Sequence, residues 1–189
     1  MKNKIAIFVC GSGGSGKTTF CNKYFNNFAQ INVDIFYERL LIESGLGLKI
    51  KDFNEYQLVD AAKLFELAKI ENDTLFYKCV ANSENIVIDG IGRDSNIILY
   101  QRNYLHKMGY DTFMIMLYES LEKCLERISV RDRVYNENIT IDSWYLAYGN
   151  MDTFKNEFKD NFAMITNTDT FEMDINSFLN KSNFTKSLL

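Results

Sequence analysis

The chain predicts an α/β fold, a parallel five-stranded sheet with helices on both faces, and three observations carry that expectation. Five short apolar runs recur along the 189 residues. Stretches of helical apolar period separate those runs. The first run leads directly into a glycine-rich loop that opens a helix. Strands that read as near-continuous apolar runs are buried on both faces, which is the mark of a parallel sheet crossed by helices.

Taken in order, Ile5–Cys10 (I-A-I-F-V-C) predicts the first strand and Lys17–Phe28 the first helix. Ala29–Asp34 predicts the second strand, ending on an acid, and Phe53–Ala81 a long helix. Ile86–Asp89 (I-V-I-D) predicts the third strand and Asn96–Met108 the helix after it. Tyr110–Tyr118 follows as the fourth strand. Leu121–Arg131 predicts a helix whose apolar face is Leu121, Leu125 and Ile128. Ser143–Phe158 predicts another, with Trp144, Tyr148, Met151, Phe154 and Phe158 on its apolar face, and Phe162–Thr166 closes the sheet. The helical spacing of those aromatics favours core packing over a base-stacking platform. Ligands of such sheets bind beyond the carboxyl ends of the strands.

Composition narrows the class further. At 47% hydrophobic, the chain can bury a substantial core in a single domain spanning 1–189, with a small arginine-bearing lid at about 127–142. No repeat or low-complexity tract divides it. Proline is absent, while Asn, Lys, Ile, Phe and Tyr abound, a bias that fits an AT-rich genome and says nothing of chemistry. The first apolar run is too short for a signal peptide or a membrane span, so a cytoplasmic location without membrane partners is expected, the host cytoplasm if the chain is phage-encoded. Cys10, Cys21, Cys79 and Cys124 lack C-x-x-C spacing and read as reduced filler. A net charge of −4 argues against broad nucleic-acid coating, though not against a local basic patch. His106, beside Lys107 in a polar stretch, reads as a surface residue.

The chemistry starts at Gly11-Ser12-Gly13-Gly14-Ser15-Gly16-Lys17-Thr18, the pattern G-x-x-x-x-G-K-[ST] between a strand and a helix. Glycines let the backbone curl so that its N–H groups point inward, and the helix start adds positive potential at the same spot. This is a P-loop NTPase-type cradle for the triphosphate of ATP, extending to Thr19. Lys17 reaches the β and γ phosphates, and the Thr18 hydroxyl is a ligand for Mg2+. Asp89, at the end of Ile86-Val87-Ile88 and before Gly90, is the strand-end carboxylate that orients the metal; an Asp-Gly turn is the plain alternative. Asp34 is the candidate base for an attacking hydroxyl, or a helix N-cap. Arg127, Arg131 and Arg133 form a cluster able to neutralise a transferring phosphoryl group; a solvated face paired with Glu126 and Asp132 is the alternative. Arg93, in Asp89-Gly90-Ile91-Gly92-Arg93-Asp94, is an anchor for an anionic acceptor, and Arg39 joins Asp34 and Asp89 as a substrate-binding candidate.

These motifs resemble the zeta-toxin-like and polynucleotide-kinase-like P-loop kinases, especially small phage-type members. The resemblance rests on G-S-G-G-S-G-K-T, I-N-V-D-I-F-Y-E, I-V-I-D-G-I-G-R-D, M-G-Y-D-T-F-M-I-M-L and L-E-R-I-S-V-R-D-R, spread over residues 5–165. It implies ATP and Mg2+ at Lys17 and Thr18, Asp34 as general base, and lid arginines among Arg127, Arg131 and Arg133. Relatives phosphorylate hydroxyls of UDP-N-acetylglucosamine, polynucleotide 5′ ends or hydroxymethylated pyrimidines of phage DNA, so the resemblance implies the reaction and leaves the acceptor open. A nucleotide or nucleic-acid hydroxyl is expected here, framed by a basic edge of Arg93, Arg102, Lys107 and the lid arginines. D-G-I-G-R is also similar to the D-G-x-P-R stretch of nucleoside monophosphate kinases, with Gly92 in place of Pro, which keeps a monophosphate acceptor as the rival. A non-catalytic ATP-binding switch is the alternative outside enzymes.

Overall fold

The structure is a computed structural model describing residues 4–131 and 137–166, together with Ile175, Ser177 and Phe178. Its sheet runs β2-β3-β1-β4-β5 with every pairing parallel. The strands are β1 (Lys4–Cys10), β2 (Ala29–Ile31), β3 (Ile86–Gly90), β4 (Tyr110–Tyr118) and β5 (Phe162–Thr166). Helices α1 (Lys17–Tyr24), α2 (Val33–Glu43), α3 (Glu55–Ala81), α4 (Ser95–Lys107), α5 (Leu121–Ser129), α6 (Glu137–Gly149) and α7 (Met151–Phe158) lie between them. All five expected strands are present, so the α/β expectation holds.

The alternation of β1 sorts the core into two layers. Ala6, Phe8 and Cys10 face Phe76, Cys79 and Val80 of α3, Leu105 of α4, and Phe154 and Phe158 of α7. Ile5, Ile7 and Val9 face Phe20 and Cys21 of α1, with Phe25, Phe28 and Ile175. A strand of period two feeds both faces at once, which is why its whole run is apolar. The position of β1 at the centre of the sheet carries its carboxyl end, and the loop that follows, to the switch point where ligands bind. A third core, built on Tyr37, Leu41, Ala61 and Ala68, joins α2 to the first half of α3 beside that edge. This helical wall was not foreseen.

Four expectations need correction. The second strand stops at Ile31, and Asp34 lies in the first turn of α2; the N-cap is Asn32, whose side-chain oxygen accepts from the Asp34 N–H at 2.9 Å. The stretch Ser143–Phe158 is two helices that break at Asn150, whose amide does not cap α7 and instead donates to the carbonyls of Gly92 and Arg93 at 3.0 and 2.9 Å. Helix α5 ends at Ser129, so Arg131 lies just past it rather than within it, and α1 ends at Tyr24, short of Phe28. The aromatics of α6 and α7 do pack inward: Phe154 and Phe158 are buried, and the rings of Trp144 and Tyr148 meet at 5.0 Å. His106 is exposed as expected, yet its ring is tied to the Thr112 hydroxyl at 2.6 Å, and burial lowers its pKa.

Candidate active site

The loop between β1 and α1 has the backbone that a phosphate cradle requires. Gly14 has a φ of 80°, and a Cβ there would stand 2.6 Å from the Cys124 carbonyl oxygen, so only glycine lets the loop pack against α5. Gly16 precedes α1 with a φ of 93° and no side chain caps that helix, which leaves its leading N–H groups directed at the loop. The Lys17 ammonium donates to the Gly11 and Ser12 carbonyls at 2.8 and 2.9 Å, holding it over the loop. Ser12 and Ser15 are buried beneath it, and the Ser15 hydroxyl oxygen makes no hydrogen bond among the described residues.

Gly13, Gly16, Lys17, Thr18, Asp34 and Asp89 all line one cleft of about 870 Å³. The Thr18 hydroxyl donates to Asp89 Oδ2 at 3.4 Å, and Asn32 Nδ2 donates to the same oxygen at 2.8 Å. Asn32 therefore serves two acids: one end of its amide positions the Asp34 backbone and the other holds the Asp89 carboxylate. Burial pushes the Asp89 pKa up; the Lys17 charge opposes this, the nearby Asp34 adds to it, and the Thr18 hydrogen bond and Arg131 lower it. Among the described residues no cluster of three or more His, Cys, Asp or Glu side chains is set to hold a metal. Two hard oxygens, from Thr18 and Asp89, nevertheless fit Mg2+, which keeps several waters and substrate phosphates and needs no all-protein cage.

The arginines separate into distinct roles by position. Arg127 donates to the Gly14 carbonyl at 3.1 Å and pairs with the buried Glu119 carboxylate at 2.9 Å, so it braces the phosphate loop from α5. Arg131 is exposed, and with Gly14 and Gly16 it lines both the large cleft and a neighbouring cavity of about 320 Å³ that also touches Ser15, Thr19 and Arg127. Arg93 lines the large cleft beside Gly90 and Ile91. Arg133 and the rest of 132–136, the middle of the expected lid, lie outside the described residues. Arg39 is held in ion pairs with Glu43 and Glu71 and is not part of the cleft lining. Arg102 is likewise engaged, with the Glu157 carboxylate at 2.9 Å and its backbone oxygen at 2.7 Å, and neither it nor Lys107 lines the cleft.

Two residues escaped the sequence reading. Asn32 carried a signal, since Asn before an acid is a common N-cap, but the apolar run around it read as strand. Glu119, 5% exposed at the end of β4, gave no signal, because its partner Arg127 becomes a neighbour only once α5 folds back.

No family model and no curated protein sequence matches the chain. Solved structures do. AvrRxo1-ORF1 in complex with AvrRxo1-ORF2 matches with a TM-score of 0.70 at 14% identity over 88% of this chain and 55% of that one, and the same complex has been solved with ATP. The PezAT toxin-antitoxin system of Streptococcus pneumoniae matches with a TM-score of 0.62 at 18% identity, covering 88% of this chain and 68% of that one. A candidate kinase from Chloroflexus aurantiacus matches with a TM-score of 0.59 at 14% identity over 95% and 94% of the two chains. The chain thus spans about half the length of the AvrRxo1 protein it matches (55%) and nearly all of the Chloroflexus one (94%). At these identities the likeness is one of fold alone: the chain shares with these proteins an α/β architecture built on a parallel sheet.

Proposed function

We propose that the chain is an ATP-dependent phosphotransferase that moves the γ phosphate of ATP to a hydroxyl acceptor. The observation that carries this reading is the convergence of Lys17, Thr18, Asp89 and Asp34 on one cleft at the carboxyl edge of the sheet. Lys17 neutralises charge on the β and γ phosphates, and the uncapped start of α1 adds to it. Mg2+ held through Thr18 and Asp89 supplies further charge neutralisation on the transferring group. Asp34 accepts the proton of the attacking hydroxyl. Arg131, between the cleft and the smaller cavity, faces the group in transit.

Asp34 favours a hydroxyl acceptor over a monophosphate, because a phosphate oxygen needs no base. A nucleic-acid strand, one of the acceptors expected from the sequence, loses support, since Arg102 is committed to Glu157, Arg127 to Glu119, and Lys107 does not line the cleft, which leaves Arg93 and Arg131 of the expected basic edge among the described residues. The test is transfer from γ-labelled ATP to 5′-hydroxyl oligonucleotides, hydroxymethyluracil-containing DNA, nucleoside monophosphates and UDP-N-acetylglucosamine, alongside ATP binding by titration calorimetry. Label on a hydroxyl, lost in Asp34→Asn, supports the reading. Label on a monophosphate, insensitive to Asp34→Asn, moves the chain to the monophosphate kinases. A protein that binds ATP but transfers to nothing is a switch.

A further inference from the structure

Strand register gives Asn32 its place. In the parallel pairing of β2 with β3, Ile31 stands opposite Ile88, so the next residues of the two chains, Asn32 and Asp89, lie side by side at the carboxyl edge of the sheet. On its other flank Asp89 pairs with Val9, just before the phosphate loop. Position 32 is therefore the neighbour of the strand-end acid on the side away from the loop, and Asn32 is buried there, 8% exposed.

Capping alone does not call for asparagine. An N-cap needs only an acceptor for the Asp34 N–H, which Ser, Thr or Asp would also provide. Asn32 uses both ends of its amide: Oδ1 accepts from the Asp34 N–H at 2.9 Å, and Nδ2 donates to Asp89 Oδ2 at 2.8 Å. The partners fix the amide's orientation, because a backbone N–H only donates and an ionised carboxylate only accepts, so a flip would lose both bonds. The Thr18 hydroxyl donates to the same Oδ2 at 3.4 Å, which keeps its oxygen lone pairs for a cation. One carboxylate oxygen is thus held by donors from two elements. That hold fixes the plane of the group, and with it the direction in which the carboxylate can meet a metal.

We infer that Asn32 is a positioning residue for Mg2+, acting through Asp89: it holds the strand-end carboxylate in a fixed orientation beside Thr18 without itself touching the metal. This rests on the reading of Thr18 and Asp89 as the Mg2+ site. Groups that orient a metal ligand in this way are commonly worth about tenfold to a hundredfold in metal affinity or activity.

The test is Asn32→Ser. Serine caps helices about as well as asparagine, but its hydroxyl hangs from Cβ and stops short of Asp89, so α2 keeps its start while the carboxylate loses its hold. ATP affinity is measured by titration calorimetry in EDTA and in excess Mg2+, and the Mg2+ concentration for half-maximal ATP turnover is read beside it. In EDTA the variant is expected to bind ATP within about twofold of the wild type, whereas the gain in affinity that Mg2+ brings shrinks about tenfold or more, and half-maximal turnover needs correspondingly more Mg2+. In an Asp89→Asn background, Asn32→Ser is expected to change neither quantity further, because the carboxylate it acts through is gone. Asn32→Thr, which also caps and fills more of the same space, takes the place of the serine variant should that one not fold. An unchanged Mg2+ gain in a folded variant, equal losses with and without Mg2+, a further loss in the Asp89→Asn background, or failure of both variants to fold overturns the inference and leaves the phosphotransferase reading standing. A wild type whose ATP binding and turnover both ignore Mg2+ overturns the metal reading itself, and the inference with it.

Discussion

Arg127 and Glu119 form an ion pair at 2.9 Å that ties α5 to the end of β4, and the other arm of the same guanidinium donates to the Gly14 carbonyl of the phosphate loop. The Glu119 side chain is 6% exposed against 39% for Arg127, so the carboxylate depends on its partner more than the reverse. Its other oxygen accepts from the Ser120 N–H at 3.0 Å, and its carbonyl accepts from the Trp144 indole at 2.9 Å. The loop's shape is thus fixed partly from outside the loop, by residues more than a hundred positions away.

That geometry separates two arginines that look alike in sequence. Arg127→Ala strands a buried carboxylate, and the expected cost is about 1–3 kcal/mol, less than for a fully buried pair because Arg127 is partly exposed. Thermal unfolding should show a drop of several degrees together with weaker ATP binding. Arg131→Ala should leave unfolding unchanged and remove most of the turnover, since an exposed guanidinium facing the transferring group acts on charge that develops during transfer. Equal effects of the two substitutions on stability would end the distinction.

Lys17→Ala should abolish ATP turnover and keep the fold. The side chain donates two hydrogen bonds to loop carbonyls, at 2.8 and 2.9 Å, and has no place in the core. Its loss should lower Tm by no more than about 2–4 °C, the shift that about 1 kcal/mol produces at this chain length. Turnover near the parental rate would remove the phosphate-loop assignment.

Asp34→Asn should slow transfer by roughly a hundredfold or more, the scale of a lost general base, with ATP affinity nearly unchanged. The amide keeps the size of the side chain, and the hydrogen bond from the Asp34 N–H to Asn32 belongs to the backbone, so α2 keeps its start. A rise in the acceptor's KM with kcat intact would make Asp34 a binding residue only.

Much of this was written in the sequence at the level of elements. The five strands were legible because each is a short apolar run, and β4 and β5 fell on their expected bounds. The failures have physical causes. The run Ala29–Asp34 reads as strand to its end, but a capping Asn32 outweighs local β propensity and turns the chain into α2. The break at Asn150 was invisible because the apolar period continues across it; what ends α6 is a tertiary demand, the hydrogen bonds from Asn150 to Gly92 and Arg93. The strand, glycine turn and helix start over residues 5–18 were legible as backbone. The brace of the phosphate loop and its apolar neighbour were not, because Glu119–Arg127 and Tyr37–Phe65 are contacts that only the folded chain makes.

The thiols give a test of the core itself. All four cysteines are free and buried, and burial pushes Cys10, beneath the phosphate loop, up to about 12. A thiolate is the reactive form, so none should react appreciably with a disulfide reagent at pH 8 while the chain is folded, and all should react in denaturant. Fast modification of any one under native conditions would show that its layer opens locally.

Asp89 sets stability against function. Because burial raises its pKa, the folded chain holds the Asp89 proton more tightly than the unfolded chain does. Its contribution to stability is therefore fully present below the ordinary carboxylate value and is lost as pH rises through the raised one. At neutral pH the ionised form is a burden that the Lys17 charge, the Thr18 hydroxyl and Arg131 only partly offset. Asp89→Asn removes that burden while its amide oxygen can still accept from Asn32 and Thr18. The variant should unfold at a higher temperature than the wild type near pH 7, and the gap should shrink as pH falls toward 4 and the wild-type carboxylate takes up its proton. Transfer should collapse in the same variant, because a neutral amide is a poor partner for Mg2+. Unfolding curves at several pH values and a turnover assay decide it; a variant less stable than the wild type near pH 7, or one of full activity, would show that the carboxylate is neither strained by burial nor needed for the metal.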